Sequence, residues 1–187
     1  MQREEYKKKR TLVAITGASG LEYGRRLVEV LRQNKSVKTS VVVSKGAVKV
    51  AEAEGTKLPE ADYAENDFSC SYASGSNPPD AVIVVPCSLK TLGEIANGIG
   101  SNLITRSAEV ALKERKKLVL VVRDTPYSLI TIKNMETITL AGGVILPACP
   151  GFYGKPKNVE DLIDFIVARI MDQIGLEHNL SNRWGSK

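Results

Sequence analysis

The chain has 187 residues, of which 43% are apolar and 25% are charged, the composition of one globular domain with a substantial core. No uncharged stretch is as long as a membrane-spanning helix, and residues 1–10 carry a net +3 of the formal +5 charge. With aromatic residues at only 5%, neither a membrane protein nor a nucleic-acid binder is expected. We predict a basic tail over residues 1–10 and one cytoplasmic domain over residues 11–187.

Strand-like and helical segments alternate along the chain. Runs rich in Val, Ile and Leu predict strands at 11–16, 37–43, 80–85, 117–122 and 143–146. Helical patterns follow at about 19–33, 46–54, 88–98, 103–115, 128–141 and 159–174, and the segment 55–79 is expected to be a long loop. The fold class is therefore α/β, a Rossmann-like, doubly wound and mainly parallel sheet with helices on both faces. The broad apolar surface of the last helix predicts contact with another subunit.

The turn after the first strand is the most informative segment. Gly17-Ala18-Ser19-Gly20 follows a buried strand and leads directly into a helix. Phosphate is favoured there, because unpaired N–H groups and the positive end of the helix dipole converge on it. The turn matches neither the G-x-G-x-x-G dinucleotide pattern nor the P-loop, so a plain strand–helix connection stays open as the alternative.

Polar residues follow three further strands at the same edge of the predicted sheet. They are Ser44-Lys45, Ser88-Leu89-Lys90-Thr91 and Arg123-Asp124. Ligands of doubly wound sheets bind at that edge. Four such strand ends, rich in hydroxyl groups and cations, predict a site for an anionic cofactor more strongly than they predict isolated helix caps.

Cysteine and histidine are too few for a disulfide framework or a metal site. Cys70, Cys87 and Cys149 are widely spaced and form no C-x-x-C pair. The single histidine, His178, lies near the polar C-terminus, where a surface position is expected. The sequence therefore predicts no bound metal.

In their order and spacing, these segments resemble those of the flavin prenyltransferases, the UbiX-type proteins. The resemblance runs almost end to end and is carried by residues 16–24, 43–45, 73–76, 86–91, 102–106, 110–115, 123–126, 150–153 and 183–185. A related decarboxylase branch acts on phosphopantothenoylcysteine. It has a Pro-Ala-Ser-Ala-Asn-Thr segment where this chain has residues 86–91, and it relies on a histidine that this chain lacks.

The resemblance implies that the dimethylallyl group of dimethylallyl phosphate is joined to N5 and C6 of reduced FMN, without a metal. The product, prenylated FMN, would serve a separate UbiD-type decarboxylase. It also implies a homo-oligomer, a dodecamer if the family pattern holds, with sites between subunits. An FMN-dependent decarboxylase of the same fold and a non-catalytic, flavin-storing subunit are the alternative functions.

The same resemblance assigns two sets of binding residues. FMN would be held by Gly17, Ala18, Ser19, Ser44, Ser88, Leu89, Lys90, Thr91 and Arg123. The prenyl phosphate would be held by Ser74, Gly75, Arg106, Lys113, Tyr153 and Arg169. From the residues alone, Arg106 and Lys113 are better explained as solvated partners of Glu109 and Glu114.

Three residues are assigned to the chemistry itself, namely Ser19, Glu54 and Asp124. Glu54 matches the acid/base glutamate of the family, although its sequence context alone predicts an exposed helix residue. Asp124 stands where many members of the family have glutamate. Because aspartate is one methylene shorter, its reach toward a proton differs.

Overall fold

The structure is a computed structural model that describes residues 8–181 and 183–185. Six parallel strands form one sheet in the order β3-β2-β1-β4-β5-β6. The strands are β1 Lys9–Ile15, β2 Val37–Val43, β3 Tyr63–Ala64, β4 Ala81–Cys87, β5 Lys117–Val122 and β6 Val144–Ile145. The helices are α1 Leu21–Gln33, α2 Lys45–Glu54, α3 Leu89–Ala96, α4 Leu103–Lys113, α5 Leu129–Leu140 and α6 Val159–Gln173, with a 3-10 turn at Ser71–Ala73.

Helices cover both faces of the sheet and create two separate apolar cores. Alternate residues of β1 point to opposite faces, so that Val13 and Ile15 join one core while Leu12 and Ala14 join the other. The first core contains buried residues of α1, α2 and α6, and the second contains those of α3, α4 and α5. The predicted doubly wound α/β fold is confirmed, and the buried strands explain why each was a continuous apolar run.

Two of the departures from the predicted boundaries have a clear physical reason. The segment 55–79 was expected to be a loop, but it contributes the edge strand β3. This strand is held by Asp62, whose carboxylate accepts the N–H of Val41 at 2.7 Å, so an apolar pattern could not reveal it. The first strand begins at Lys9 rather than residue 11, because Lys9 and Arg10 pair with β2 instead of belonging to the tail.

The chain leaves β1 and β4 in opposite directions, which opens a crevice at their carboxyl ends. Thr16 joins the two strand ends across this crevice. Its hydroxyl donates to the carbonyl of Pro86 at 2.8 Å and accepts the N–H of Ser88 at 2.8 Å. In the part of the chain that the structure describes, no helix combines the length and apolarity needed to cross a membrane.

Candidate functional site

A cleft of about 550 Å³ occupies the crevice at the carboxyl edge of the sheet. It gathers residues from four strand ends and from the loops beside them. Its walls are formed by Gly17, Ala18, Ser44, Lys45, Gly46, Glu65, Ser88, Leu89, Lys90, Thr91, Asn102, Ile104, Arg123 and Asp124. The four polar strand ends of the sequence therefore meet in one place, as predicted.

Three helices begin at this cleft, and each has a side-chain cap. The Ser44 hydroxyl accepts the N–H of Ala47 at 3.0 Å, which caps α2, and the Ser88 hydroxyl accepts the N–H of Thr91 at 3.3 Å, which caps α3. Asn102 caps α4 in a reciprocal arrangement with Thr105. Because helix N-termini carry partial positive charge, their convergence favours an anionic ligand.

The backbone of the first turn lies directly against the start of α2. A Cβ atom on Gly17 would lie 2.8 Å from the carbonyl carbon of Gly46, which is too close for any side chain. Glycine is therefore required at position 17 by the close approach of two backbone segments. This contact brings the first and second strand ends together.

Arg123 and Asp124 complete the cleft beside the end of β5. The Asp124 carboxylate accepts the N–H of Thr125 at 2.7 Å. The Nε atom of Arg123 is buried and has no hydrogen-bond partner among the described residues. Because an unpaired buried donor is costly, this N–H in a residue of the cleft wall suits a polar atom of a nucleotide cofactor. These residues therefore fit bound FMN.

Two tyrosines and a cysteine lie close to Arg123. Burial and the nearby Cys149 thiol raise the pKa of the Tyr23 phenol, and the positive charge of Arg123 opposes this rise. The pKa of Tyr127 is raised by the same two causes and by Asp124, again against Arg123. Both phenols therefore stay protonated near neutral pH and are hydrogen-bond donors at this edge.

Five residues that line the cleft were not predicted as site residues: Lys45, Gly46, Glu65, Asn102 and Ile104. Glu65 links two of the helix N-termini. Its carboxylate accepts the N–H of Lys45 at 3.1 Å, and its carbonyl accepts the N–H of Leu103 at 2.7 Å. Because β3 was missed, no sequence signal placed Glu65 at this edge. Lys45, Asn102 and Ile104 lie in segments that carry the family resemblance, and this is a signal that marks them.

Two of the predicted catalytic residues, Ser19 and Glu54, are not part of the cleft wall. Ser19 is half-buried in the turn before α1. Glu54 is the last residue of α2 and is exposed. Thr56, two residues further on, donates to the Glu22 carboxylate at 2.6 Å, so this end of α2 lies beside the first turn of α1. The chemical roles of both residues remain predictions.

The predicted phosphate residues fall into two groups, and the first lies on α4. Arg106 donates from Nε to the Ala73 carbonyl at 3.1 Å and pairs with Glu109 at 2.7 Å. Lys113 pairs with Glu114 at 2.5 Å. A Cβ atom on Gly75 would collide with both members of that last pair, so the loop of Ser74 and Gly75 lies against Lys113. The solvated carboxylate partners of the alternative explanation are thus present.

The second group, Tyr153 and Arg169, lies on the opposite face of the sheet. Tyr153 packs edge-on against Phe165 of α6, with ring centroids 5.6 Å apart, and against Trp184 at 5.2 Å. Arg169 pairs with Asp172 at 2.6 Å. Asp172 also binds His178, whose side chain is only 3% exposed, so the predicted surface position of this histidine is wrong.

The two groups cannot meet within one chain. The 11 residues of α4, at ~1.5 Å per residue, put Lys113 ~16 Å along the helix from Asn102 at the cleft. Lys113 thus lies near the amino edge of the sheet, just before β5. Arg169 is on the other face, on a helix whose end is held to the start of β1 by the Lys9 ammonium and the Ile174 carbonyl. Within one subunit, Lys113 and Arg169 thus lie on opposite faces of the sheet.

Comparison with known proteins decides the family. The chain matches the Flavoprotein family over residues 1–171. It is 45% identical over 182 residues to the flavin prenyltransferase UbiX of Methanocaldococcus jannaschii, covering 94% of this chain and 98% of that protein. This chain belongs to the Flavoprotein family and, within it, to the UbiX flavin prenyltransferases.

Solved structures of UbiX proteins match the fold closely. AnUbiX (PadA1), solved in complex with FMN and dimethylallyl pyrophosphate, superposes with a TM-score of 0.90 at 42% identity, covering 96% of this chain and 99% of that one. A dodecameric FMN-dependent UbiX-like decarboxylase from Escherichia coli O157:H7 superposes with a TM-score of 0.88 at 37% identity, covering 95% and 100%. The resemblance proposed from the sequence motifs is thus confirmed.

Proposed function

We propose that this UbiX-family chain is a flavin prenyltransferase that joins the dimethylallyl group of dimethylallyl phosphate to reduced FMN, giving prenylated FMN. The observation that supports this most strongly is the composition of the cleft. Eight of the nine residues assigned to FMN by the sequence motifs line it, and Ser19 is the exception. When bound, reduced FMN supplies N5 and C6 as the positions that take up the dimethylallyl group.

The residues of the cleft bind and orient the flavin nucleotide. The N-termini of α2 and α3, with the hydroxyl groups of Ser44, Ser88 and Thr91, favour its anionic and polar atoms. The unpaired Nε–H of Arg123 is available to an acceptor of the cofactor. Gly17 allows the backbone of the first turn to approach the ligand, and Ser19 adds a hydroxyl beyond it.

The six phosphate residues would act across a subunit boundary. When the allylic C–O bond breaks, its electron pair leaves with the phosphate group, which therefore needs cations and hydrogen-bond donors. Arg106 and Lys113, with Ser74 and Gly75, are one half of that set, and Tyr153 and Arg169 are the other. We propose that these halves come from different chains, because they lie on opposite faces of one subunit.

Two carboxylates are proposed to handle protons. The Glu54 carboxylate would accept the proton that leaves C6 as the second bond forms there, and Asp124 would orient Arg123 or the phosphate. Support for Asp124 is its position in the cleft beside Arg123. Support for Glu54 is the contact of Thr56 with Glu22 at the start of α1.

Assembly into a homo-oligomer, with the dodecamer as its expected form, belongs to this proposal. The sequence pointed to the apolar surface of α6, but Ile166, Val167 and Ile170 are buried within the subunit. Exposed apolar side chains are instead found on α5, where Leu129, Ile130 and Leu140 are each more than half exposed. A UbiD-type decarboxylase as the acceptor of the product, and a cytoplasmic location compatible with three free cysteines, complete the proposal.

The test is to incubate the purified protein with reduced FMN and dimethylallyl phosphate without oxygen, and to analyse the released flavin by mass spectrometry. A flavin heavier by one five-carbon unit is expected. The diphosphate, tested in parallel, identifies the preferred leaving group. Recovery of unmodified FMN from a protein fully loaded with flavin would contradict the proposal and favour the flavin-storing alternative. Release of carbon dioxide from an added acid would favour a decarboxylase.

A further inference from the structure

One carboxylate on α6 binds three different side chains. Asp172 Oδ2 accepts from Arg169 Nη1 at 2.6 Å. Asp172 Oδ1 accepts from Arg183 Nη2 at 2.9 Å and lies 3.2 Å from His178 Nε2. The flavin cleft uses none of these four residues, and the motif of residues 183–185 has no role in the proposed reaction.

The hydrogen bonds of this cluster indicate which nitrogen of His178 carries a proton and that Asp172 is ionised. The N–H of Leu180 can only donate, and it lies 3.4 Å from His178 Nδ1, so Nδ1 accepts and Nε2 carries the proton given to Asp172. Burial by itself would raise the pKa of Asp172, but the hydrogen bonds from His178 and Arg183 outweigh it and hold this pKa below its usual value. Asp172 is therefore ionised and engaged on both oxygens.

The same carboxylate links α6 to the C-terminal segment beside Tyr153. Arg183 precedes Trp184, and the Trp184 ring lies 5.2 Å from the Tyr153 ring at an angle of 90°. Asp172 thus contacts Arg169 directly. Through Arg183 it also holds Trp184, the residue that packs against Tyr153. These are the two phosphate residues contributed by this face of the subunit.

We propose that Asp172 is a positioning residue for phosphate binding, which fixes the Arg169 guanidinium and docks the Arg183–Trp184 segment against Tyr153. The inference rests on the proposed function, because Arg169 and Tyr153 are assigned to the prenyl phosphate there. Arg169 is half exposed and has four rotatable side-chain bonds, so without a fixed acceptor it would lose conformational entropy on binding. Asp172 makes that loss smaller by ordering the side chain beforehand.

The experiment measures binding of dimethylallyl phosphate by calorimetry to the FMN-loaded protein with the flavin kept oxidised, so that no turnover occurs. We expect Asp172→Asn to weaken binding about tenfold, whereas Asp172→Glu, which keeps the charge, stays within about threefold. The matched control is Asp164→Asn. Asp164 is on the same helix and binds Arg26 with both oxygens, at 2.7 and 3.1 Å, but it does not contact Arg169.

A double-mutant cycle separates positioning from general stability. If Asp172 acts through Arg169, the double variant Arg169→Ala/Asp172→Asn binds dimethylallyl phosphate only slightly more weakly than Arg169→Ala alone. In turnover assays the effect of Asp172→Asn should appear in KM rather than kcat. Asp172→Ser serves in place of Asp172→Asn if that variant does not fold.

The outcomes are distinguishable. Equal affinity of the wild type and Asp172→Asn, an equal loss in Asp164→Asn, or full additivity in the cycle would overturn the role of Asp172 and leave the proposed function intact. A wild-type protein that binds FMN but has no affinity for dimethylallyl phosphate would overturn the proposed function, and this role with it.

Discussion

The flavin cleft and the phosphate residues differ in how completely one chain builds them. The cleft is assembled within a single subunit, because parallel strands deliver their carboxyl ends to one edge. The proposed phosphate residues are divided between α4 on one face and α6 with its neighbours on the other. One subunit therefore builds the whole cleft, whereas the proposed phosphate site would need residues from two subunits.

The cationic side chains of the two regions also differ, because those outside the cleft have carboxylate partners. In the cleft, the buried Nε of Arg123 has no partner among the described residues. Outside it, Arg106, Lys113 and Arg169 each pair with a carboxylate one to three positions further on, at 2.7, 2.5 and 2.6 Å. Partly exposed pairs of this kind contribute about 0–1 kcal/mol, so a phosphate group can displace the glutamate partners of Arg106 and Lys113 at little cost. Each of these three cations of the proposed phosphate site is thus paired within the single subunit.

The largest expected effect is a loss of turnover without a loss of FMN binding, when a cation of the proposed phosphate site is removed. Lys113→Ala and Arg169→Ala should each lower kcat/KM about 100- to 1,000-fold, because each removes a cation from the leaving phosphate, and neither should change the affinity for FMN. Fluorescence titration of FMN and mass spectrometry of the product measure the two quantities. Lys116→Ala is the matched control, because Lys116 is near Lys113 but pairs with Asp80 at 3.7 Å.

Mixed oligomers of these two variants test the division between subunits. If each site takes Lys113 from one chain and Arg169 from another, both are intact in about a quarter of the sites of an equal mixture. Co-assembly from unfolded chains should therefore restore about a quarter of the activity. Verified mixed oligomers that stay inactive, or a monomer that is active, would show that the phosphate site is not divided between subunits.

The second effect concerns the proton step. Glu54→Gln keeps the size of the side chain but removes its basicity, so formation of the final product should slow about 100-fold while FMN remains bound. Stopped-flow absorbance of the flavin under single-turnover conditions measures this rate. Glu52→Gln, an exposed substitution on the same helix, is the control. An unchanged rate in Glu54→Gln would remove this residue from the mechanism.

Sequence patterns predicted the cleft far better than its surroundings, and the reason is physical. Buried parallel strands are apolar runs, and their polar ends mark one edge, so Ser44, Ser88 and Arg123 could be placed together without a structure. Glu65 could not, because β3 is only two residues long and depends on the Asp62 carboxylate. His178 was misplaced because a polar neighbourhood in sequence says nothing about a carboxylate six positions away.

The third effect tests the close contact between the backbones of Gly17 and Gly46 in the cleft wall. Gly17→Ala should lower the free energy of unfolding by about 1–3 kcal/mol and weaken FMN binding, because its Cβ would lie 2.8 Å from the Gly46 backbone. The facing substitution, Gly46→Ala, is expected to be neutral or stabilising, since its Cβ would make ordinary contacts from 3.5 Å and the residue is helical. Chemical denaturation of the flavin-free proteins measures both, and equal losses would contradict this asymmetry.

The smallest expected effect is the pH dependence of the stability that Asp172 contributes on α6. The pKa of Asp172 in the folded protein is below its usual 3.8, so the folded carboxyl binds a proton less readily than the unfolded one. Its contribution to stability is therefore fully present above the usual pKa and is lost as pH falls through the lowered value. The difference in free energy of unfolding between the wild type and Asp172→Asn should shrink as pH falls from about 5 to about 2, in urea titrations at one fixed protein concentration. Asp164→Asn provides the comparison on the same helix. A difference that stays constant over this range would mean that the Asp172 carboxylate is not stabilised by His178 and Arg183.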